Sequence, residues 1–225
     1  MRSIIVTGGF GVLGRAVAEA FRAQGDRVAR IDFAPTAPDA NPGGLDIGGV
    51  DLTDAAAAAR AVEQVVAAQG GVDVLVNVAG GFVWQTLDDG GPETWARMYA
   101  MNAVTCVTTT KAALPVLRAT AGAAIVNIGA GGAVVAAAGM GGYAASKAAV
   151  HKLTESLAAE LAGSDCTVNA VLPSIIDTPT NRADMPDADF AQWVKPASLA
   201  QVIAYLASPA ARAISGALIP VSRGG

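Results

Sequence analysis

The glycine-rich run TGGFGVLG at residues 7–14 is the feature that most constrains this chain. It directly follows a short apolar run and precedes a segment with helical periodicity. Between a strand and a helix, such glycines allow a tight turn and a close backbone approach, so that a pyrophosphate can lie on the helix N-terminus. The run therefore predicts a dinucleotide site formed by Gly8, Gly9, Gly11, Val12, Leu13 and Gly14.

Short apolar runs alternate with alanine-rich helical stretches along the chain. The pattern predicts strands over residues 3–7, 27–32, 72–78, 123–128, 167–172 and 218–221, and helices over residues 12–24, 54–69, 94–119 and 143–162. This alternation predicts the α/β class, as a Rossmann-type doubly wound parallel sheet of about seven strands with helices on both faces. We expect one domain over residues 1–225, with a substrate lid near residues 174–196.

The composition argues against several classes of protein. The chain is 52% hydrophobic, which indicates a packed core, and its net charge of −4 offers no basic surface for nucleic acid. Residues 119–146 are free of charge, but seven glycines interrupt them, so we expect a buried strand and a loop and no membrane partner. With two cysteines lacking metal spacing and one histidine, we expect no metal site and a reducing cytoplasmic location.

Asp32 lies eighteen positions beyond Gly14, at the end of the second predicted strand. A carboxylate there can accept hydrogen bonds from both ribose hydroxyls and repels a 2′-phosphate, which favours NAD(H) over NADP(H). The alternative is a solvated acid at a strand end, and the nearby Arg15 and Arg30 keep NADP(H) open. Later strand ends are expected to contribute Asp51 and Leu52 beside the adenine, and Asn77, Ala79 and Gly80 along the cofactor.

Tyr143 and Lys147 are four residues apart, and therefore share one face of a predicted helix. A free tyrosine titrates near 10, and a neighbouring cation favours the phenolate. We therefore expect this pair to give or take a proton near neutral pH. Such spacing is common on helices, and it is the preceding glycine-rich run that favours a catalytic role.

Together with Asn102, these motifs resemble the short-chain dehydrogenase/reductase superfamily over essentially the whole chain. The resemblance implies that Tyr143 is the acid/base, that Lys147 tunes its pKa and binds ribose, and that Asn102 holds a water in a proton relay. It further implies a small-molecule substrate, a homodimer or homotetramer formed through the helices near residues 94–119 and 143–162, and a nicotinamide flanked by Pro173, Ile176 and Thr178.

Two positions depart from the superfamily pattern. Val12 stands where many members have glycine, and Ala130 stands thirteen residues before Tyr143, where a catalytic serine is usual. Losing one such donor typically costs about 10²–10³ in rate. The dihydropteridine reductase branch also lacks this serine, and the chain is similar to it at residues 9–14, 79–82 and 139–151 and most strongly at residues 172–193.

That similarity implies reduction of a conjugated C=N or C=O acceptor, such as a quinonoid dihydropterin. The alternatives are a reductase or dehydrogenase of simple ketones and alcohols, and a non-catalytic NAD-binding sensor or scaffold. Phe82 and Trp84 are expected either to stack on a planar substrate or to pack against the lid. We expect His151 at a subunit contact rather than as a proton donor, while Asp177 and Arg182 pair within the lid or meet the substrate. Further candidate substrate neighbours are Ala130, Met140 and Trp193.

Overall fold

Seven strands form one all-parallel sheet in the computed structural model, which describes residues 1–223. In chain order they are β1 (Ser3–Thr7), β2 (Arg27–Ile31), β3 (Leu45–Ile47), β4 (Val74–Asn77), β5 (Ala123–Ile128), β6 (Cys166–Pro173) and β7 (Leu218–Val221). Their spatial order is β3-β2-β1-β4-β5-β6-β7, so the strand order reverses between β1 and β4. The predicted doubly wound sheet is confirmed. The expected domain extends to Gly225, and its last two residues lie outside the described part.

Seven α-helices accompany the strands within the described residues. They are α1 (Val12–Arg22), α2 (Ala55–Gln69), α3 (Pro92–Tyr99), α4 (Thr105–Ala119), α5 (Gly141–Glu160), α6 (Pro179–Asp184) and α7 (Pro196–Leu206). Most predicted boundaries agree with these within two residues. The helix predicted over residues 94–119 corresponds to one continuous helical stretch, in which a π-helical segment, Ala100–Val104, lies between α3 and α4.

The strand side chains alternate between two hydrophobic layers, as the pleat of a strand requires. Ile4 and Val6 pack with α1 and α7 on one face of the sheet, whereas Ile5 packs with α2, α4 and α5 on the other. All three side chains are fully buried. Because both faces are covered, the strands are apolar throughout rather than alternating with polar residues.

The strand expected to end at Asp51 and Leu52 is shorter than the sequence suggested. β3 ends at Ile47, and Asp51 lies in the turn before α2. The reason is local, since the Asp51 carboxylate accepts hydrogen bonds from the backbone N–H and hydroxyl of Thr53 at 2.9 and 2.7 Å. The next residue, Asp54, caps α2 by accepting from the amides of its first turn, as the sequence predicts.

The uncharged stretch over residues 119–146 contains β5 and a glycine-rich loop that leads into α5. Among the described residues, no helix has both the length and the apolar character needed to cross a membrane. The predicted motifs lie at a single edge of the sheet, because they follow the carboxyl ends of parallel strands, namely β1, β2, β4, β5 and β6.

Candidate functional site

The glycine-rich loop is closely packed at three of its glycines. Gly8 has a φ of +61°, and a Cβ there would lie 2.9 Å from the Cα of Ala79. A Cβ on Gly9 would lie 2.5 Å from the Cβ of Arg30, and one on Gly14 would overlap the carbonyl oxygen of Gly8. The turn therefore brings the end of β1 against β2 and β4 with no space for a side chain.

The start of α1 offers unpaired backbone donors beside this turn. Gly11 is the N-cap residue and has no side chain to accept from the first turn. Within residues 1–223, the amides of Val12 and Leu13 donate to no protein group. A Cβ on Gly11 would meet only the Gly8 carbonyl oxygen, at 3.4 Å. Open space in front of free helix N–H groups fits the phosphates of a dinucleotide.

Asp32 follows β2 and faces the glycine-rich loop. Its carboxylate accepts hydrogen bonds from the backbone N–H groups of Phe10 and Ala34, both at 2.9 Å. These two bonds orient the carboxylate at the predicted ribose position without neutralising it. The sequence predicts this residue as the ribose ligand, and the geometry is compatible with that role.

Arg30 is one of the two arginines that left NADP(H) possible as the cofactor in the sequence, and in the structure it forms ion pairs within the protein. Its side chain is fully buried, and its guanidinium pairs with Asp39 at 2.6 Å and Asp46 at 2.7 Å. It also lies 5.5 Å from the centroid of the Phe10 ring. Arg15 lies 4.0 Å from the same Asp39 carboxylate. Neither arginine is unpaired, which weakens the argument for a 2′-phosphate ligand.

A buried polar network joins the central strands beneath the site. Asn77 donates to Asn127 on β5 at 2.9 Å and to Thr110 on α4 at 3.0 Å, and Asn127 donates to Thr154 on α5 at 2.9 Å. The Asn77 side-chain nitrogen therefore joins the central strands, whereas its buried Oδ1 has no hydrogen-bond partner among the described residues, and the cofactor contact expected of Asn77 stays a prediction. Sequence reasoning missed Thr110 and Thr154, which appear there as ordinary helical threonines.

The end of β4 is held to the end of β1 by one hydroxyl. Thr7 Oγ1 accepts hydrogen bonds from the backbone N–H groups of Val78 and Ala79, at 3.0 and 3.1 Å. Gly80 follows, and a Cβ there would overlap the side-chain oxygen of Asn102. The backbone of Ala79 and Gly80 thus lines the edge of the sheet where the predicted cofactor passes.

Tyr143 and Lys147 lie one turn apart near the start of α5, as predicted. Burial raises the pKa of Tyr143 to about 12 and lowers the pKa of Lys147 to about 8. The Lys147 ammonium donates to the carbonyl oxygen of Ile128 at 2.8 Å. The expected lowering of the tyrosine pKa by the lysine is therefore wrong for this state, because burial dominates both groups. Tyr143 is a neutral phenol that can donate a proton.

Asn102 lies in the π-helical segment and links the loop after β4 to α5. Its side chain accepts from Gly81 N at 2.9 Å, and donates to Gly81 O at 3.0 Å and Ser146 Oγ at 2.9 Å. Ser146 in turn donates to the carbonyl oxygen of Tyr143 at 2.7 Å. The side-chain amide is therefore fully engaged, and the water contact expected of Asn102 stays a prediction. Sequence reasoning missed Ser146, whose position just before Lys147 was its one signal.

Ala130 leaves no hydroxyl at the end of β5. It is 4% exposed, and its backbone N–H donates to Nε2 of His151 at 3.2 Å. His151 is itself only 5% exposed and lies inside the chain. The expectation that it lies at a subunit contact is wrong, because the imidazole packs against the strand end instead.

Three aromatic side chains surround the entrance to Tyr143. The Phe82 ring meets the Tyr143 ring edge to face, with centroids 4.9 Å apart. Trp84 donates from Nε1 to Ala138 O at 3.0 Å and packs on Gly139, which has a φ of +75°. Trp95, which sequence reasoning missed, packs against Gly141 and Gly142. All three aromatic residues are at least 45% exposed, and we refer to them together as the aromatic patch.

Two other candidate substrate neighbours pack within the protein. Trp193 is 5% exposed, and its ring lies 4.7 Å from that of Phe190. The methyl group of Met140 lies against Gly132, in the turn that follows Ala130. In this conformation Trp193 packs against Phe190, whereas Met140 packs in the turn after Ala130.

The segment over residues 174–196, which the sequence predicts as a substrate lid, packs on itself beside the end of β6. Ile176 and Val194 form a parallel bridge, and Thr178 caps α6. Arg182 donates to both carboxylate oxygens of Asp177 at 2.6 and 2.8 Å, and this hydrogen bonding lowers the pKa of Asp177. Of the two alternatives that the sequence left open, the pair within the lid is the one observed.

No three histidine, cysteine, aspartate or glutamate side chains within residues 1–223 come together as a metal-ligand set. The described site therefore consists of backbone donors, one oriented carboxylate, a phenol and a lysine.

Residues 2–189 match the profile of the family described as short chain dehydrogenase. The chain belongs to this family of oxidoreductases. It is 31% identical over 234 residues to the meso-2,3-butanediol dehydrogenase of Serratia marcescens, covering 98% of this chain and 93% of that protein. Similar solved structures include the following two.

The first is the ligand-free aldohexose dehydrogenase of Thermoplasma acidophilum, with a TM-score of 0.90 and 28% identity, covering 99% of this chain and 93% of that one. The second is a 3-ketoacyl-(acyl-carrier-protein) reductase of Brucella melitensis complexed with NADH, with a TM-score of 0.88 and 27% identity, covering 98% and 96%.

Proposed function

We propose that this short-chain dehydrogenase is a reductase of a conjugated, planar acceptor, with a quinonoid dihydropterin as its representative substrate. The observation that carries the proposal is Ala130. At the strand end where the family pattern has a serine hydroxyl, this chain has a methyl group and an N–H already bonded to His151. Tyr143 is therefore the one hydroxyl donor that we assign to the acceptor.

A site with one donor suits an acceptor that is already electrophilic. An isolated ketone gains much of its reactivity from hydrogen bonds to the developing oxyanion, and losing one such bond costs about 10²–10³ in rate. A conjugated quinonoid acceptor spreads the developing charge over its ring system and depends less on a second donor. The neutral phenol of Tyr143, whose pKa is raised to about 12 by burial, is in the protonation state that reduction requires.

The aromatic patch is a further argument for a planar substrate. Phe82 and Trp84 are 49% and 59% exposed, so their faces are accessible to a flat ring system. Phe82 touches the Tyr143 ring, and a substrate stacked on it would lie beside the proton donor.

We propose NAD(H) as the cofactor, with NADP(H) the weaker candidate. The glycine-rich loop and the free amides of Val12 and Leu13 would hold the phosphates, and Asp32 would hold the adenosine ribose. Lys147 would bind the second ribose, while Pro173, Ile176 and Thr178 would flank the nicotinamide. The cofactor, when bound, supplies the hydride for the reduction.

The second candidate is a reductase or dehydrogenase of simple ketones and alcohols. It is favoured by the names of the similar proteins, which include a butanediol dehydrogenase and an aldohexose dehydrogenase. In that case a water or a cofactor hydroxyl would supply the missing polarisation of the carbonyl, because the Asn102 side chain, the third candidate, is engaged by Gly81 and Ser146.

The test follows NADH oxidation with freshly generated quinonoid dihydropterin, with butanedione and cyclohexanone as plain ketones. We expect rapid oxidation of NADH with the pterin above the chemical background, and a loss of about 10²-fold or more in Tyr143→Phe. The matched control is Tyr205→Phe, because Tyr205 is exposed on α7, whose end contacts Arg2 at the opposite edge of the sheet.

Activity on the ketones without activity on the pterin would select the second candidate. Tight NADH binding with no turnover of any acceptor would indicate a sensor or scaffold. Ala130→Ser adds a further discrimination, since we expect it to increase the rate on ketones by about 10²-fold while changing the pterin rate little.

The expected homo-oligomer stays a prediction. It is supported by Tyr99 and Val107, which are 52% and 43% exposed on α3 and α4. Light scattering at micromolar concentration tests it, and a monomer would count against it.

A further inference from the structure

Two side chains of α5 hold the end of β5 from one side. Lys147 donates to the carbonyl oxygen of Ile128 at 2.8 Å, and His151 accepts from the backbone N–H of Ala130 at 3.2 Å. The two residues are one helical turn apart, as are Lys147 and Tyr143, so all three share a face of α5. The strand end that lacks the serine is thus fixed to the helix that carries the proton donor.

The fit of the imidazole is specific. A Cβ on Gly129 would lie 2.5 Å from Nε2 of His151, so only glycine leaves space for the ring at this position. His151 is 5% exposed, and the same Cβ would lie 3.1 Å from Cδ1 of Leu172 on β6. Glycine at 129, alanine at 130 and histidine at 151 therefore form one packed unit.

The hydrogen bond requires an unprotonated Nε2. An imidazole that accepts at Nε2 carries its proton on Nδ1, whereas an imidazolium has no acceptor. The charged groups near the ring are Lys147, Lys152 and Glu155, all on α5, while the neighbouring residues of β5 and β6 (Ile128 to Ala130 and Leu172) are not titratable. Burial, and then the charge of Lys147, lower the pKa of His151 below 6.5, which favours the accepting form.

We propose that neutral His151 is a positioning residue for the reduction. By holding the Ala130 amide, it sets the distance between the hydroxyl-free strand end and Tyr143, and so the orientation of the acceptor between them. This inference rests on the proposed function in one respect, namely that the end of β5 at Ala130 borders the bound acceptor.

The first test needs no substrate. His151 is the one histidine of the sequence, so a long-range ¹H–¹⁵N spectrum of the tag-free protein reports this ring alone. We expect the Nδ1–H tautomer at neutral pH and a titration midpoint below the 6.5 of a free histidine. An Nε2–H tautomer or an imidazolium at neutral pH would overturn the proposal.

The second test compares two variants. His151→Leu removes the acceptor, while His151→Gln places a non-titrating amide oxygen within reach of the Ala130 amide. We expect His151→Leu to lower kcat roughly 10- to 100-fold, because small displacements of reacting groups are costly, with the NADH dissociation constant unchanged within about twofold. We expect kcat of the wild type to decrease at acid pH as His151 is protonated, and His151→Gln should recover most of kcat and lose this decrease.

Wild-type kcat and pH profile in His151→Leu would refute a positioning role, as would an acid limb that persists in His151→Gln. If His151→Leu fails to fold, the pH profile of His151→Gln and the ¹H–¹⁵N spectrum of the wild type still test the positioning role of His151. The kinetic arm uses whichever acceptor the wild type reduces. Failure of the pterin assay with the expected tautomer and rescue would therefore refute the proposed substrate and leave the role of His151 intact.

Discussion

Replacing Lys147 by methionine should remove a pH dependence of stability that the buried ammonium creates. Burial lowers the pKa of Lys147 from 10.5 to about 8. Because the unfolded chain binds this proton more tightly, the charged lysine destabilises the fold below about pH 8, and this penalty disappears as pH rises through 10.5. This difference of about 2.5 between the pKa values of the folded and unfolded states corresponds to a destabilisation of the fold by about 3 kcal/mol at neutral pH.

The measurable part of this effect lies between pH 7 and pH 9. Over that interval the lysine should add about 1.4 kcal/mol to the free energy of unfolding of the wild type and nothing to that of Lys147→Met. Urea unfolding followed by circular dichroism at several pH values gives both slopes. The two thiols, whose pKa values burial raises to about 12 and about 11, are common to both proteins and cancel in the comparison.

Lys152→Met is the matched control. Lys152 lies on the same helix, but its side chain is 77% exposed and pairs with Glu155 at the surface. We expect it to leave the wild-type slope unchanged. If Lys147→Met and the wild type show parallel curves from pH 7 to pH 9, the buried ammonium is not the destabilised group described above, and the reasoning fails.

Three further outcomes are expected. Asp32→Ser should decrease the preference for NADH over NADPH by about tenfold or more, measured as a ratio of dissociation constants, and an unchanged ratio would contradict its ribose role. Gly14→Ala should destabilise the protein by about 1–3 kcal/mol, because its Cβ would overlap the Gly8 carbonyl oxygen; wild-type stability in urea would show that the turn can relax. Thr7→Val should cost about 1–3 kcal/mol, since two backbone N–H groups at the end of β4 lose their acceptor, and a neutral result would mean that water replaces it.

Local sequence signals predicted the parts of the site that depend on neighbouring residues. The glycine-rich run predicted the turn before α1 because a left-handed Gly8 and the packing against Gly14 are properties of a few consecutive residues. The four-residue spacing of Tyr143 and Lys147 placed both on one face of α5 for the same reason. Such short-range geometry requires no knowledge of the rest of the fold.

Long-range contacts account for the errors. The pKa values of Tyr143 and Lys147 depend on how completely other elements exclude water from them, which spacing along a helix does not encode. His151 was expected at a surface, but it contacts Ala130, twenty-one residues earlier. The hydrogen bond from Asn77 to Asn127, fifty residues later, is likewise a contact that the sequence pattern does not indicate.

The sequence by itself determined the fold class of this protein, because fully apolar strands alternating with long helices can be buried only as a parallel sheet covered on both faces. It also determined the family and the residues that we propose carry the chemistry. Only the tertiary structure decided three contacts and distortions around them: the π-helical segment at Ala100–Val104 within the long helix, the engagement of Arg30 by two acids, and the packing of His151 behind Ala130. Each depends on groups far apart in the chain meeting at fixed distances, and periodicity along a sequence does not specify those distances.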